Sequence, residues 1–186
     1  MERELLVTGI GGQGIQLLAK TLALAATREG RYAMLAADYG GEMRGGPSKA
    51  GVVIGDEPLK ALPILPSAWS AIFAHRKHSE GVENRLRTGA LVVANTPLVD
   101  PEGFREDLRV VAVDAAALAK QAEAPNALGF VLLGKYNAIT RMVAPESLAE
   151  AMEELLPPYR RQHAAANKRA LEVGGMTVGA TEGRTA

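Results

Sequence analysis

Short apolar runs alternate along this chain with longer segments whose apolar positions recur every three or four residues. Residues 5–8, Leu-Leu-Val-Thr, are the first run and suit a buried, central parallel strand. Ile15, Leu18, Leu22 and Ala25 then fall at helical spacing over residues 15–28, and Leu17, Thr21 and Leu24 fill a second stripe. A helix apolar over that much of its girth packs on a sheet. Gly30 stands where a stop is expected. Further strands are expected over residues 32–37, 49–54, 68–74, 90–94 and 109–113. Residues 83–87 read as a short polar helix or turn, and an alanine-rich helix reaches to about Ala122. Residues 128–142 are apolar at helical spacing, with Gly129 and Gly134 pointing to close packing on a neighbour. Pro145 opens a helix over 145–156, and a mixed-charge helix spans 159–173. The alternation predicts an open, mostly parallel α/β sheet. Residues 1–173 are expected to form one domain, with 174–186 a Gly- and Thr-rich tail.

Two glycine-rich stretches interrupt this pattern. Gly9, Gly11 and Gly14 fall at G-x-G-x-x-G spacing after the first strand, with Gly12 and Gln13 between them. The helix that follows offers unpaired N–H groups and a positive dipole end, which suit an anion. A tight turn without a ligand explains the same glycines equally well. The second stretch is residues 39–48, Tyr-Gly-Gly-Glu-Met-Arg-Gly-Gly-Pro-Ser. Its glycines and proline predict a loop. Glu42 and Arg44 stand between glycine pairs. Ordering such a loop costs conformational entropy, so its backbone is expected to press against a partner chain or a ligand.

Other candidates carry less. Asp38, at the end of the second strand, comes late for the ribose-binding acid of a dinucleotide fold. His75 and His78 bracket Arg76 and Lys77, with no third ligand spaced with them, and a solvated basic turn is the better reading. Gly55-Asp56 and Asn84 resemble part of a thiamine diphosphate and magnesium fingerprint, but Glu57 and Pro58 break it. Residues 62–66, Leu-Pro-Ile-Leu-Pro, cannot be helix or central strand and are expected to cross a packed surface.

Composition then narrows the chemistry. Lys and Arg number 21, as do Asp and Glu, which argues against a phosphate-neutralising nucleic-acid binder. No apolar run is long enough to span a bilayer. The N-terminal residues read as no signal peptide, so a cytoplasmic protein is expected. With no cysteine, thiolate ligands for zinc or iron–sulfur clusters cannot come from this chain.

Taken together, Gly9 to Gly14 and Tyr39 to Ser48 resemble the gamma subunit (domain III) of the 2-oxoacid:ferredoxin oxidoreductases. Asn126-Ala127-Leu128-Gly129, Leu133-Gly134 and residues 167–174 resemble that family's closing helices, so the likeness covers nearly the whole chain. It implies a Rossmann-like fold with helices on both faces of the sheet. It implies a subunit of a complex that oxidatively decarboxylates a 2-oxoacid with coenzyme A, inactive by itself. Thiamine diphosphate and magnesium would be held by alpha and beta subunits, and iron–sulfur clusters by a beta or delta chain. This chain would pack on those partners and help form the coenzyme A approach. Carried over by position, Gly11, Gly12, Gln13 and Gly14 match the first family loop, and Tyr39, Gly41, Glu42, Arg44, Gly45, Gly46 and Pro47 the second. Contacts to coenzyme A, to the thiamine pocket or to another subunit are all open for them. A free-standing nicotinamide-dependent dehydrogenase and a ligand-free structural adaptor are the alternatives.

Overall fold

The structure, a computed structural model, describes residues 1–39, 45–60, 65–96 and 98–176, and of Asp38 and Tyr39 the backbone. Six strands form one sheet: β1 (Arg3–Ile10), β2 (Tyr32–Tyr39), β3 (Pro47–Gly55), β4 (Ala68–Phe73), β5 (Leu86–Asn95) and β6 (Arg109–Val113), in the order β2-β3-β1-β4-β5-β6. The β1–β4, β4–β5 and β5–β6 pairs are parallel, whereas β3 runs antiparallel to both β1 and β2. Leu5, Leu6 and Val7 are buried, because β1 is central and covered on both faces.

Among the described residues there are five α-helices, α1 (Ile15–Arg28) between β1 and β2 and, after β6, α2 (Ala115–Gln121), α3 (Leu128–Thr140), α4 (Pro145–Leu155) and α5 (Ala164–Met176). The side chains of all five join Leu5, Val7, Val52, Ile72 and Val93 in one core on one face of the sheet. The opposite face carries Leu6, Val53, Phe73 and Val92, covered by Val82, Val99, Phe104 and Leu108 from connecting segments. The expected mostly parallel α/β sheet is present, with 3-10 turns rather than α-helices on its second face. The parallel connections on that second side, residues 74–85 and 96–108, hold single 3-10 turns, Glu83–Arg85 and Pro101–Gly103.

Local chemistry explains the element ends. Gly30 has φ 77°, its N–H donates to Thr27 O, and Arg31 N–H donates to Ala26 O, which closes α1 in a Schellman motif. Asp114 caps α2 by accepting from Ala117 N–H at 2.9 Å. The mixed-charge helix expected over 159–173 starts later, because Pro157 and Pro158 hold Pro158–His163 as a 3-10 segment, and α5 runs on to Met176. Residues 177–186 of the expected tail lie outside the described residues, as do 62–64 of the proline-rich stretch.

α3 is apolar on every side and lies in the middle of the helical layer. Tyr136 is fully buried in it, and burial pushes its hydroxyl up to about 12. That hydroxyl meets Ser70 Oγ at 3.0 Å, and Ser70 Oγ donates to Glu4 O at 3.0 Å. Ser70 has one proton, so the tyrosine is the donor to it.

Glycines set the crossing of α3 and α5. A β-carbon on Gly134 would overlap the Leu171 carbonyl, and one on Gly174 would overlap the Val131 carbonyl. The close packing expected at Gly134 is thus present, with backbone as the neighbour. We predict that Gly174→Ala costs about 3 kcal/mol or more, because no flexible side chain can yield. At Gly175 the nearest atom is Gly134 O, 3.8 Å away, so Gly175→Ala should gain up to about 1 kcal/mol from helix propensity. Chemical denaturation of the two variants checks the opposite signs.

Candidate functional site

The carboxyl ends of β1, β4, β5 and β6 lie along one rim of the sheet, where ligands collect in open α/β folds. The first glycine stretch leaves β1 at this rim and turns into α1. Gly12 and Gly14 have φ 102° and 74°, with no atom within 4 Å of where a β-carbon would stand. These glycines answer a backbone need and leave open space beside them. Gly14 is the N-cap of α1, which has no side-chain cap. Gly9 differs: a β-carbon there would stand 2.6 Å from Gln13 Oε1 and 2.7 Å from Ile15 Cδ1.

The second stretch meets the first through its backbone. Gly11 N–H donates to Gly46 O at 2.9 Å, and Gly45 N–H donates to Gly11 O at 3.2 Å. One residue of the β1 strand line thus opposes two of the β3 line, one step beyond the Ile10–Pro47 pair. Gly45 has φ 74°. This is a G1-type β-bulge, whose first residue needs the left-handed conformation. Gly46 is buried behind it. The expected loop over 39–48 is accordingly shorter: Tyr39 ends β2, and Pro47 and Ser48 begin β3, paired Tyr39 to Ser48 across the hairpin. Gly41, Glu42 and Arg44 lie outside the described residues, and of Tyr39 only the backbone is described.

Side-chain amides extend the junction along the rim. Gln13 Oε1 accepts from Ile10 N–H at 3.0 Å, and Gln13 Nε2 donates to Ala74 O at 3.4 Å, bridging the ends of β1 and β4. Asn95, fully buried, donates from Nδ2 to the same Ala74 O at 2.9 Å and accepts from Ala115 N–H at 3.2 Å. In the first turn of α1, Gln16 Nε2 donates to Lys49 O at 2.8 Å. Gly129, at the start of α3, brings that helix close enough that a β-carbon would stand 3.0 Å from Gln13 O. Sequence reading did not single out Gln16 or Asn95. The available signals were a polar residue on the first turn of an otherwise apolar helix and an amide ending a buried parallel strand.

Several weaker candidates resolve. Asp56 is engaged by Arg31 at 2.8 Å, which holds its carboxyl below the usual range. His75 Nδ1 accepts from Lys77 N–H within its own turn. Among the described residues no group of three or more His, Asp or Glu side chains is placed to hold a metal ion. Among them, too, no helix is long and apolar enough to cross a membrane. Asp38 lies one residue before the end of the edge strand β2, with antiparallel β3 between it and β1. Two strand spacings, about 10 Å, separate the β1 and β2 lines, unlike a dinucleotide fold in which they are neighbours.

The family model described as pyruvate ferredoxin/flavodoxin oxidoreductase matches residues 4–176. The chain belongs to this family. The resemblance drawn from the two glycine stretches is thereby borne out. The 2-oxoglutarate synthase subunit KorC of Methanocaldococcus jannaschii is 28% identical over 160 residues, 84% of this chain and 85% of that one. The keto/oxoacid ferredoxin oxidoreductase gamma subunit of Geobacter sulfurreducens superposes with a TM-score of 0.78 at 24% identity, over 94% of this chain and 95% of that chain. The 2-oxoglutarate:ferredoxin oxidoreductase of Magnetococcus marinus, with 2-oxoglutarate, coenzyme A and succinyl-CoA bound, superposes at 0.81 and 19% identity. There this chain covers 93% of its own length but 30% of the other. At these identities the two superpositions speak for the fold.

We predict that Gly45→Ala destabilises the chain by about 1–2 kcal/mol, since a β-carbon is strained at positive φ even in open space. Gly45→Asn should retain most of that stability, because asparagine tolerates the left-handed region. Equal losses in thermal unfolding for the two variants would count against the bulge.

Proposed function

We propose that this chain is the gamma-type subunit of a thiamine diphosphate-dependent, coenzyme A-acylating 2-oxoacid:ferredoxin oxidoreductase. It packs on alpha and beta catalytic chains, and on a delta chain where one is present, in the cytoplasm. Thiamine diphosphate, magnesium and the iron–sulfur clusters belong to those partners in this reading. Thiamine diphosphate supplies the carbanion chemistry there. Residues 1–173 serve as one scaffold domain in this reading.

The observation that carries the reading is the bulge junction, in which Gly11 holds Gly45 and Gly46 at the ligand-prone rim. A rigid base of this kind fixes Gly45 and Gly46 beside the first glycine loop. It also leaves the first turn of α1 without a side-chain cap beside Gly12 and Gly14. Exposed N–H groups there suit the anionic part of coenzyme A or a carboxylate of a partner chain. Family membership and the names of the relatives supply the 2-oxoacid chemistry.

The test is co-expression with alpha and beta catalytic chains from the same source. We expect stable co-purification, 2-oxoacid oxidation by the complex and none by this chain alone. Arg44→Ala should leave the melting temperature of the isolated chain unchanged and either block assembly or raise the coenzyme A concentration needed for half-maximal turnover. Unchanged assembly together with an unchanged coenzyme A curve would remove Arg44 and its loop from the interface.

A further inference from the structure

β2 is one edge of the sheet, and among the described residues β3 is its only strand neighbour. Every second residue of such a strand turns its N–H and C=O outward, away from the ladder. Among the described residues, no hydrogen bond ties the backbone of Tyr32–Tyr39 to any element but β3. The outer row of donors and acceptors is open.

Edge strands of natural proteins carry devices against pairing: short length, lysine, proline or a bulge. β6, at the other edge, has five residues and opens with Arg109. β2 has eight, Tyr-Ala-Met-Leu-Ala-Ala-Asp-Tyr, with no lysine, arginine or proline. Its register with β3 runs unbroken from Tyr32–Gly55 to Tyr39–Ser48, so no bulge in β2 twists the edge away. Residues 32–37 are uncharged, and Ala33, Ala36 and Ala37 leave room for an approaching backbone.

The core is also unfinished on this side. α1 packs on β2 and β3. Leu17, Ala23 and Leu24 of α1, with Ala33 and Leu35 of β2, border the helical core yet are only partly buried. Ala33 and Leu35 share that face with Ile54 and Val52, their partners on β3. Tyr32, on the other face of β2, is 48% exposed. Covering apolar surface of this kind is favourable.

We propose that the free edge of β2 pairs antiparallel with β2 of a second copy of this chain, giving one continuous sheet across a two-fold axis. An axis perpendicular to the sheet keeps each face on its own side, so the two α1 helices stand on the same side of the joined sheet. With Leu35 on the axis, Ala33 lies opposite Ala37 of the other copy, Met34 opposite Ala36, and Tyr32 opposite Asp38. Each half-buried Leu35 then meets its own equivalent. Asp38 is the only charged residue of the strand. In this register its two copies are offset by six residues, about 20 Å along the strands, so like charges do not meet. A parallel pairing in register would set them side by side. A strand from an unrelated chain would have to bring the same run of small uncharged residues, which a second copy carries by identity.

The test is sedimentation of the full chain over a concentration series, with amide hydrogen exchange followed at residues 32–38. Ala37→Lys adds a charge at an exposed position of the edge. Leu35→Lys and Leu35→Glu each oppose like charges on the axis. We expect a reversible monomer–dimer equilibrium, with alternate β2 amides exchanging more slowly as the dimer fills. Each variant alone should weaken the dimer about ten-fold or more, and an equimolar mixture of the two Leu35 variants should recover it. Ala37→Lys decides the matter where the fold does not accept a charge at Leu35. A chain that stays monomeric, a dimer unchanged by Ala37→Lys, or β2 amides that exchange equally fast in monomer and dimer would overturn the proposal. So would β2 amides that become protected only once alpha and beta chains are added.

Discussion

Gly11 opposes both Gly45 and Gly46 across a G1-type bulge, and much of the molecule is placed by that pair of backbone hydrogen bonds. The bulge ends the β1–β3 ladder and ties the β2–β3 hairpin to the point where the chain leaves β1 for α1. A bulge bends its strand and increases local twist, so it also shapes the start of β3 beside the first glycine loop. Gln13 then carries the same constraint to β4 through Ala74 O, and Asn95 carries it on to β5 and α2. Two glycine stretches thirty residues apart in sequence are thus one structural object.

The topology gives that object its meaning. An antiparallel strand occupies the slot beside β1 that a parallel strand takes in a dinucleotide-binding sheet. Asp38 is displaced to the edge, and the rim beside the first glycine loop is filled by Gly45 to Ser48 instead. A ribose-binding arrangement is lost, and a preformed backbone surface takes its place. This arrangement suits a scaffold that meets other chains better than one that encloses a nicotinamide cofactor.

Much of the fold was legible in the sequence because its elements are locally consistent. Residues 15–28 form the expected helix and 109–113 the expected strand, since apolar period and turn residues agree there. The strand neighbours were not legible. An apolar run does not say which way it runs, so β3 could not be seen to be antiparallel. That the second face carries 3-10 turns rather than α-helices was not legible for a related reason: strands buried on both sides show no alternation to reveal what covers each side. In the site, Gly11 and Gly45 were found as motif residues, but their mutual pairing was not, because a bulge joins positions that share no local pattern. Gln16 and Asn95 act through backbone carbonyls of distant strands and leave no spacing signature.

The account depends on the two hydrogen bonds at Gly11, and these can be observed one at a time. A long-range HNCO spectrum of the isotopically labelled chain detects couplings transmitted through hydrogen bonds. The account predicts cross-peaks linking Gly11 N to the Gly46 carbonyl carbon and Gly45 N to the Gly11 carbonyl carbon, with both amides protected from solvent exchange. Absence of both correlations, with the Gly11 and Gly45 amides exchanging at unfolded rates, would contradict it.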